Sequence, residues 1–129
     1  MKTPSVTLCP CGTGKAFDAC CARWHVNLQA PTAEALMRSR YSAYVLKNET
    51  YLLATWHVTT RPPSLGFEAH TKWLGLVVNS ATETGADKAE VDFVARYRVG
   101  GNPAVRLHER SRFVREDGHW FYVDAAAFD

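Results

Sequence analysis

All four cysteines of the chain fall in one segment, Cys9-Pro10-Cys11-Gly12-Thr13-Gly14-Lys15-Ala16-Phe17-Asp18-Ala19-Cys20-Cys21, and the sequence beyond Cys21 contains none. So tight a cluster demands a local explanation. Disulfides fit poorly. Neighbouring Cys20 and Cys21 have Cα atoms only ~3.8 Å apart, below the usual ~4.4 Å minimum for a bridge, and a bond from Cys9 to Cys11 closes a similarly strained ring. A tetrahedral zinc ion with Zn–S distances of ~2.3 Å takes four thiolates from the ends of two short backbone pieces joined by a loop. The spacing supplies that layout. Pro10 stiffens the first piece, and Gly12 and Gly14 let the chain turn back with positive φ. A short helix from Lys15 to Cys21 then delivers Cys20 and Cys21, with Phe17 packing inward and Lys15 offsetting thiolate charge. The expectation is one structural zinc ion on Cys9, Cys11, Cys20 and Cys21. Redox chemistry through paired cysteines is the competing reading. The Gly-Thr-Gly-Lys stretch is no phosphate loop, because that motif needs Ser or Thr after the lysine and Ala16 stands there. His25, just past the cluster, is expected to pack the knuckle onto the body, since four thiolates already fill a tetrahedral site.

A chain of 129 residues holds one ordinary domain plus a small appendage. Hydrophobic residues are 47% and charged ones 22%, which is globular and not disordered composition. No apolar run approaches the ~20 residues of a membrane span, and the start, MKTPSVTL, has no export-signal core. A soluble, cytoplasmic protein without membrane contact is expected. The formal net charge of +2 falls to about zero once four thiolates and a divalent ion are included, so bulk charge names no partner.

Pro31 and Thr32 open a helix, with Thr32 as cap and Glu34 in the first turn. Ala33, Leu36, Met37, Tyr41, Tyr44 and Val45 form one buried stripe that also carries Arg40, while Arg38 and Ser39 point elsewhere. Asn48 caps a second helix with Leu52, Leu53 and Trp56 on its apolar side, and Arg61, Pro62 and Pro63 end it. Strands follow at 73–80, 88–99, 104–115 and 119–125, separated by the turn signals Thr84-Gly85-Ala86-Asp87, Gly100-Gly101-Asn102-Pro103 and Asp117-Gly118. Strands joined so closely are antiparallel neighbours. The fold class is α+β, with helices over one face of the sheet.

Alternation places Val91, Phe93, Ala95 and Tyr97 on the inner face of the second strand, and Val105, Leu107, Glu109, Ser111 and Phe113 on that of the third. Glu109 and Arg40 are thus charges at apolar positions. Burying either alone costs several kcal/mol, on the order of a desolvated ion, so an Arg40–Glu109 ion pair is expected, with Arg38, Tyr41, Trp56, His57, Ser111 and Trp120 as neighbours. That cluster is read either as a polar dock between helix and sheet or as a ligand pocket in which His57 and Glu109 would do acid–base work. The outer face carries Arg96, Arg98, Arg106, Arg110 and Arg112, a candidate stripe for phosphates, opposed by Asp92, Glu90 and Glu116 as neutralising partners. Few aromatics share it, which disfavours base stacking.

The cysteine segment resembles the SEC-C motif, C-x-C-x8-C-[HC], the zinc-binding tail of the SecA translocation ATPase; the Gly-x-Gly-Lys loop and Phe17 match as well. The remainder resembles the YchJ-like family, in which SEC-C precedes a cone-shaped domain of the nuclear transport factor 2 superfamily. The residues that carry this are Leu36 to Tyr41, Thr55-Trp56-His57, Trp73 to Leu76, Phe93 to Arg96, Glu109 to Phe113 and Trp120 to Asp124. The resemblance implies a zinc knuckle over residues 1–25 and a cone over 26–129; longer relatives add a second SEC-C copy at the C-terminus, and this chain, which carries one, is expected to hold one zinc ion. It also implies docking to protein partners, since the motif in SecA docks the SecB chaperone and contacts ribosomes. The favoured expectation is an interaction module. An enzymatic or small-molecule-binding cone and an RNA-binding sheet face are the alternatives, and no cofactor other than zinc is implied.

Overall fold

The structure, a computed structural model, describes residues 7–128. After a short 3-10 turn at Phe17–Ala19 come the helices α1 (Cys21–Asn27), α2 (Ala33–Val45) and α3 (Glu49–Ala54) and the strands β1 (Thr71–Gly85), β2 (Lys88–Val99), β3 (Val105–Glu116) and β4 (His119–Phe128). The strands form one antiparallel meander in the order β1-β2-β3-β4, and α2 lies against β1, β2 and β4. This is the α+β arrangement of helices on a sheet that the sequence implies.

Both caps are where the side chains dictate. Thr32 Oγ1 accepts from Ala35 N at 3.0 Å, and Asn48 Oδ1 accepts from Tyr51 N at 3.1 Å, each satisfying a first-turn donor the helix cannot reach. The β3–β4 turn at Asp117-Gly118 has φ of 52° and 79°, the left-handed pair a two-residue hairpin loop requires.

Several elements differ from the sequence reading: α3 ends at Ala54 and leaves Trp56 outside it, β4 runs on to Phe128, and the two largest differences are in β1 and α2. β1 runs through to Gly85, past the Ser80 end that its apolar pattern marks. Its last six residues are exposed, so backbone pairing with β2 holds them there and no hydrophobic alternation records it. Three bulges interrupt β1, between Trp73 and Gly75, Val78 and Ser80, and Glu83 and Gly85, a common device on an edge strand. The second difference is α2. Instead of one stripe it buries Ser39, Ser42 and Ala43 as well as Ala33, Leu36, Met37, Arg40 and Tyr41, because one side meets the sheet and α3 while the other meets the cysteine segment. A helix buried nearly all round has no clean amphipathic pattern.

The core joins Leu36, Met37 and Tyr41 with Tyr51 and Leu52, then Leu76, Val91, Phe93, Ala95, Phe113 and Trp120. Fully buried side chains such as Phe113 and Leu36 contribute ~1.5–3 kcal/mol each. The four cysteines belong to this same cluster, so the knuckle is an extension of the core.

Candidate metal centre

The chain enters the centre as a small hairpin. Leu8 bridges Ala16, Cys9 N donates to Lys15 O at 2.8 Å, and Phe17 N donates to Thr7 O at 2.9 Å. Gly12 and Gly14 turn the loop with φ of 87° and 81°. The second ligand pair arrives differently from the single helix expected over 15–21. The 3-10 turn ends at Ala19, Cys20 sits at a break with φ −131° and ψ −114°, and α1 begins at Cys21. The break has a steric reason: adjacent residues on one continuous helix point about 100° apart, whereas Cys20 and Cys21 here aim at one point.

All four sulfurs lie within 4.8 Å of one another, and all four residues are buried, the most exposed at 7%. They are free thiols with no disulfide between them. The Cys11 and Cys20 sulfurs are 3.7 Å apart, far beyond a bond of ~2.05 Å and close to the ~3.8 Å edge of a tetrahedron with ~2.3 Å arms. The donor set and spacing therefore fit a metal ion. Electrostatics agrees with this. Hydrogen bonding from Cys21 holds the Cys11 thiol down at about 4, the same contact together with burial pushes Cys21 far up, and desolvation raises Cys20. Buried sulfurs without a cation must share protons; a divalent ion removes that requirement.

Groups beyond the ligands fix the sulfurs. Thr13 Oγ1 lies 3.3 Å from Cys20 Sγ and accepts from Lys15 N at 3.3 Å, while Ser42 Oγ lies 3.5 Å from Cys9 Sγ. Arg38 Nη1 donates to Cys11 O at 2.8 Å, with its Nε held by Glu34 at 3.0 Å. His25 Nε2 pairs with Ser39 O at 2.8 Å between the rings of Phe17 and Tyr51, and burial lowers its pKa. It docks the knuckle on α2, as the sequence suggested. Ser39 and Ser42 were not legible as contact residues, since only the path of α2 past the knuckle selects them.

Of the expected pocket residues Arg40 and Trp56 meet, but the contacts do not bring all eight into one cluster. Arg40 forms no ion pair with Glu109 among the described residues. Its Nη1 donates to Leu52 O at 2.8 Å and Thr55 Oγ1 at 2.7 Å, and its guanidinium lies over the rings of Trp56 and Tyr122 at 5.0 and 4.4 Å. Backbone and hydroxyl acceptors at the end of α3 thus take the place of the carboxylate, and burial draws its pKa down to about 10. Glu109 is half-buried, opposite Phe93 and Ala127, and burial alone pushes its carboxyl up. The His57 ring has other partners, with Nε2 on Glu116 at 2.9 Å and Nδ1 on Thr59 Oγ1 at 2.7 Å, while its backbone N donates to Tyr122 O at 2.7 Å. Arg38 and Tyr41 face elsewhere too, Arg38 to the knuckle and Tyr41 to Trp73, whose ring is 5.6 Å away. Ser111 is buried opposite Val91 and Ala125. Trp120 stacks under Arg115 at 5.1 Å, and its indole N–H and that of Trp56 are buried with no acceptor among the described residues.

The arginine stripe is also divided. Arg110 contacts Asp92 at 3.4 Å and Glu90 at 3.9 Å, and Arg112 pairs with Asp124. Asp92, at 8% exposure, is buried on the face expected to meet solvent; it also accepts from Asn79 at 2.9 Å and His108 at 2.7 Å. Glu116 serves His57 and not an arginine. Arg96, Arg98 and Arg106 remain exposed.

Comparison with known proteins agrees with this architecture. The SEC-C motif model matches residues 7–23, and the model described as YchJ, middle NTF2-like domain, matches residues 32–125. A UPF0225 protein of Xanthomonas campestris pv. campestris is 58% identical over 119 residues, covering 91% of this chain and 92% of its own. One from Bordetella parapertussis is 52% identical, covering 96% and 97%. The solution structure of a SEC-C motif containing protein from Rhodopseudomonas palustris superposes with a TM-score of 0.81 at 35% identity, covering 94% of this chain and 98% of that one. A crystal structure of a SEC-C motif containing protein from Psychrobacter arcticus gives 0.77 at 28%, covering 94% and 82%. With its cysteine cluster in the SEC-C segment and its sheet and helices in the adjoining domain, the chain belongs to the YchJ-like family of SEC-C and NTF2-like proteins.

Proposed function

We propose that the chain is a zinc-dependent interaction module: one Zn²⁺ bound by Cys9, Cys11, Cys20 and Cys21 holds the knuckle in shape, and the knuckle docks on a protein partner. The observation that carries this is the closed, buried set of four sulfurs. Four thiolates leave no position for water or substrate, so the ion's role is to fix the fold of the loop. Around it the segment displays apolar side chains to solvent, Leu8 at 62%, Val26 at 86% and Leu28 at 43% exposure. No helix among the described residues is long and apolar enough to cross a membrane, and a cluster of free thiols suits a reducing compartment such as the cytoplasm.

Two measurements test the reading. Elemental analysis of protein purified anaerobically should find one equivalent of zinc, released by a chelator with loss of knuckle structure; metal-free protein with an ordered knuckle would end it. Chaperones and ribosomes, the partner classes that the SEC-C resemblance implies, should be retained by the wild type and lost by Leu8→Glu, Val26→Glu and Cys20→Ala. Equal retention by all four proteins would show that the knuckle is not the docking surface.

A further inference from the structure

Beyond the knuckle, the outer face of the sheet carries a site of its own. Arg96 on β2 is the register partner of Arg106 on β3, and Arg98 is the partner of Lys72 on β1. Like charges directly opposite on antiparallel strands destabilise a sheet, and here two such pairs are adjacent. The rest of that face is neutralised through Arg110 with Asp92 and Glu90 and Arg112 with Asp124. None of the four cations at the Arg96 end has a carboxylate partner among the described residues. Beside them Gly75, the register partner of Arg96, offers no side chain, and nothing lies within 4 Å of where its Cβ would be. The result is a groove of about 470 Å³ in which Arg96 and Arg106 stand over Leu74, Val77 and Val94. Leu74 and Val77 are 40% and 61% exposed.

We infer that this groove docks an acidic segment of a protein partner, with carboxylates on the Arg96 and Arg106 guanidiniums and an aliphatic side chain on Leu74, Val77 and Val94. The charge calls for an anionic occupant, and paired guanidiniums match carboxylates in fork geometry. The groove lining selects peptide over nucleic acid. Apart from Asn79 and the two arginines it is aliphatic, without an aromatic ring, so it offers no aromatic platform for base stacking and a good seat for a leucine or valine. A second copy of this chain is a poor occupant, because a two-fold axis centred on the groove brings the same cations together. The surface is separate from the knuckle's exposed side chains, so each can fail without the other.

The test uses the full, zinc-loaded chain and a short synthetic peptide with leucines set among glutamates. Amide NMR signals of Gly75, Val77, Val94, Arg96 and Arg106 should move on titration. Arg96→Glu and Arg106→Glu should each weaken binding about tenfold, Arg112→Glu should leave it unchanged, and added salt should weaken it. Each reversal also turns a repulsive cross-strand pair into an attractive one, so the variants should melt no lower than the wild type and loss of binding will not reflect unfolding. The proposal is overturned if the shifts lie elsewhere, if the reversals leave affinity unchanged, if an all-glutamate peptide binds as tightly, or if a single-stranded RNA binds the groove more tightly than the peptide.

Discussion

Arg40 donates through Nη1 to Thr55 Oγ1 at 2.7 Å, tying a buried guanidinium of α2 to the C-terminal cap of α3. The neighbouring bond to Leu52 O satisfies one of the last carbonyls of α3, where the helix dipole also favours a cation. Arg40→Ala removes both bonds and the packing on Trp56 and Tyr122, and is expected to cost about 3 kcal/mol in denaturant unfolding. Arg40→Met keeps much of the packing and should cost less, about 1–2 kcal/mol. Glu109→Gln should not destabilise the protein at neutral pH, since burial already disfavours the charged carboxyl; a large loss there would mean that Glu109 does hold Arg40.

The two loop glycines should respond unequally to alanine. Both have positive φ, but a Cβ on Gly12 would meet Leu76 O at 3.2 Å, whereas one on Gly14 meets nothing within 4 Å. Gly14→Ala is expected to cost about 1 kcal/mol from backbone strain alone, and Gly12→Ala about 2 kcal/mol because the knuckle must also shift off β1. Unfolding midpoints of the zinc-loaded variants measure the difference.

Arg38 acts on the metal centre without being a ligand. Its bond to Cys11 O, braced by Glu34, orients the first ligand pair, so Arg38→Ala should lower zinc affinity about tenfold. Competition with a chromophoric chelator reads this directly. An unchanged affinity would assign Arg38 to docking the helix alone.

Asp92 should make the sheet acid-sensitive. Hydrogen bonds from Asn79 and then His108 hold its carboxyl below the usual range. Falling pH therefore protonates the unfolded chain first, near its ordinary value of about 4, and the stability Asp92 contributes, complete above that value, is lost toward lower pH. Asp92→Asn should be less stable at neutral pH, and its deficit relative to the wild type should shrink on acidification. Denaturant midpoints taken across that range for both proteins would show it; a constant deficit would count against the network.

The sheet order, both helix caps, the hairpin turn at Asp117-Gly118 and the cysteine quartet were legible in the sequence because each rests on local chemistry: side-chain oxygen at a helix start, positive φ at a turn, alternation along a strand, thiols within one short loop. Parity along β3 likewise placed Ser111 and Phe113 inside. The same parity put Glu109 on the inner side but was silent on its partner. A charge at a core position states only that something must satisfy it, and whether a carboxylate, a helix-end carbonyl or a hydroxyl does so depends on which elements arrive beside it. Tertiary structure alone chose Leu52 and Thr55 for Arg40, Glu116 for His57, Ser42 for Cys9, and Asp124 for Arg112. Each of these contacts joins residues from separate elements, and local sequence fixes neither the separation nor the angle at which those elements meet.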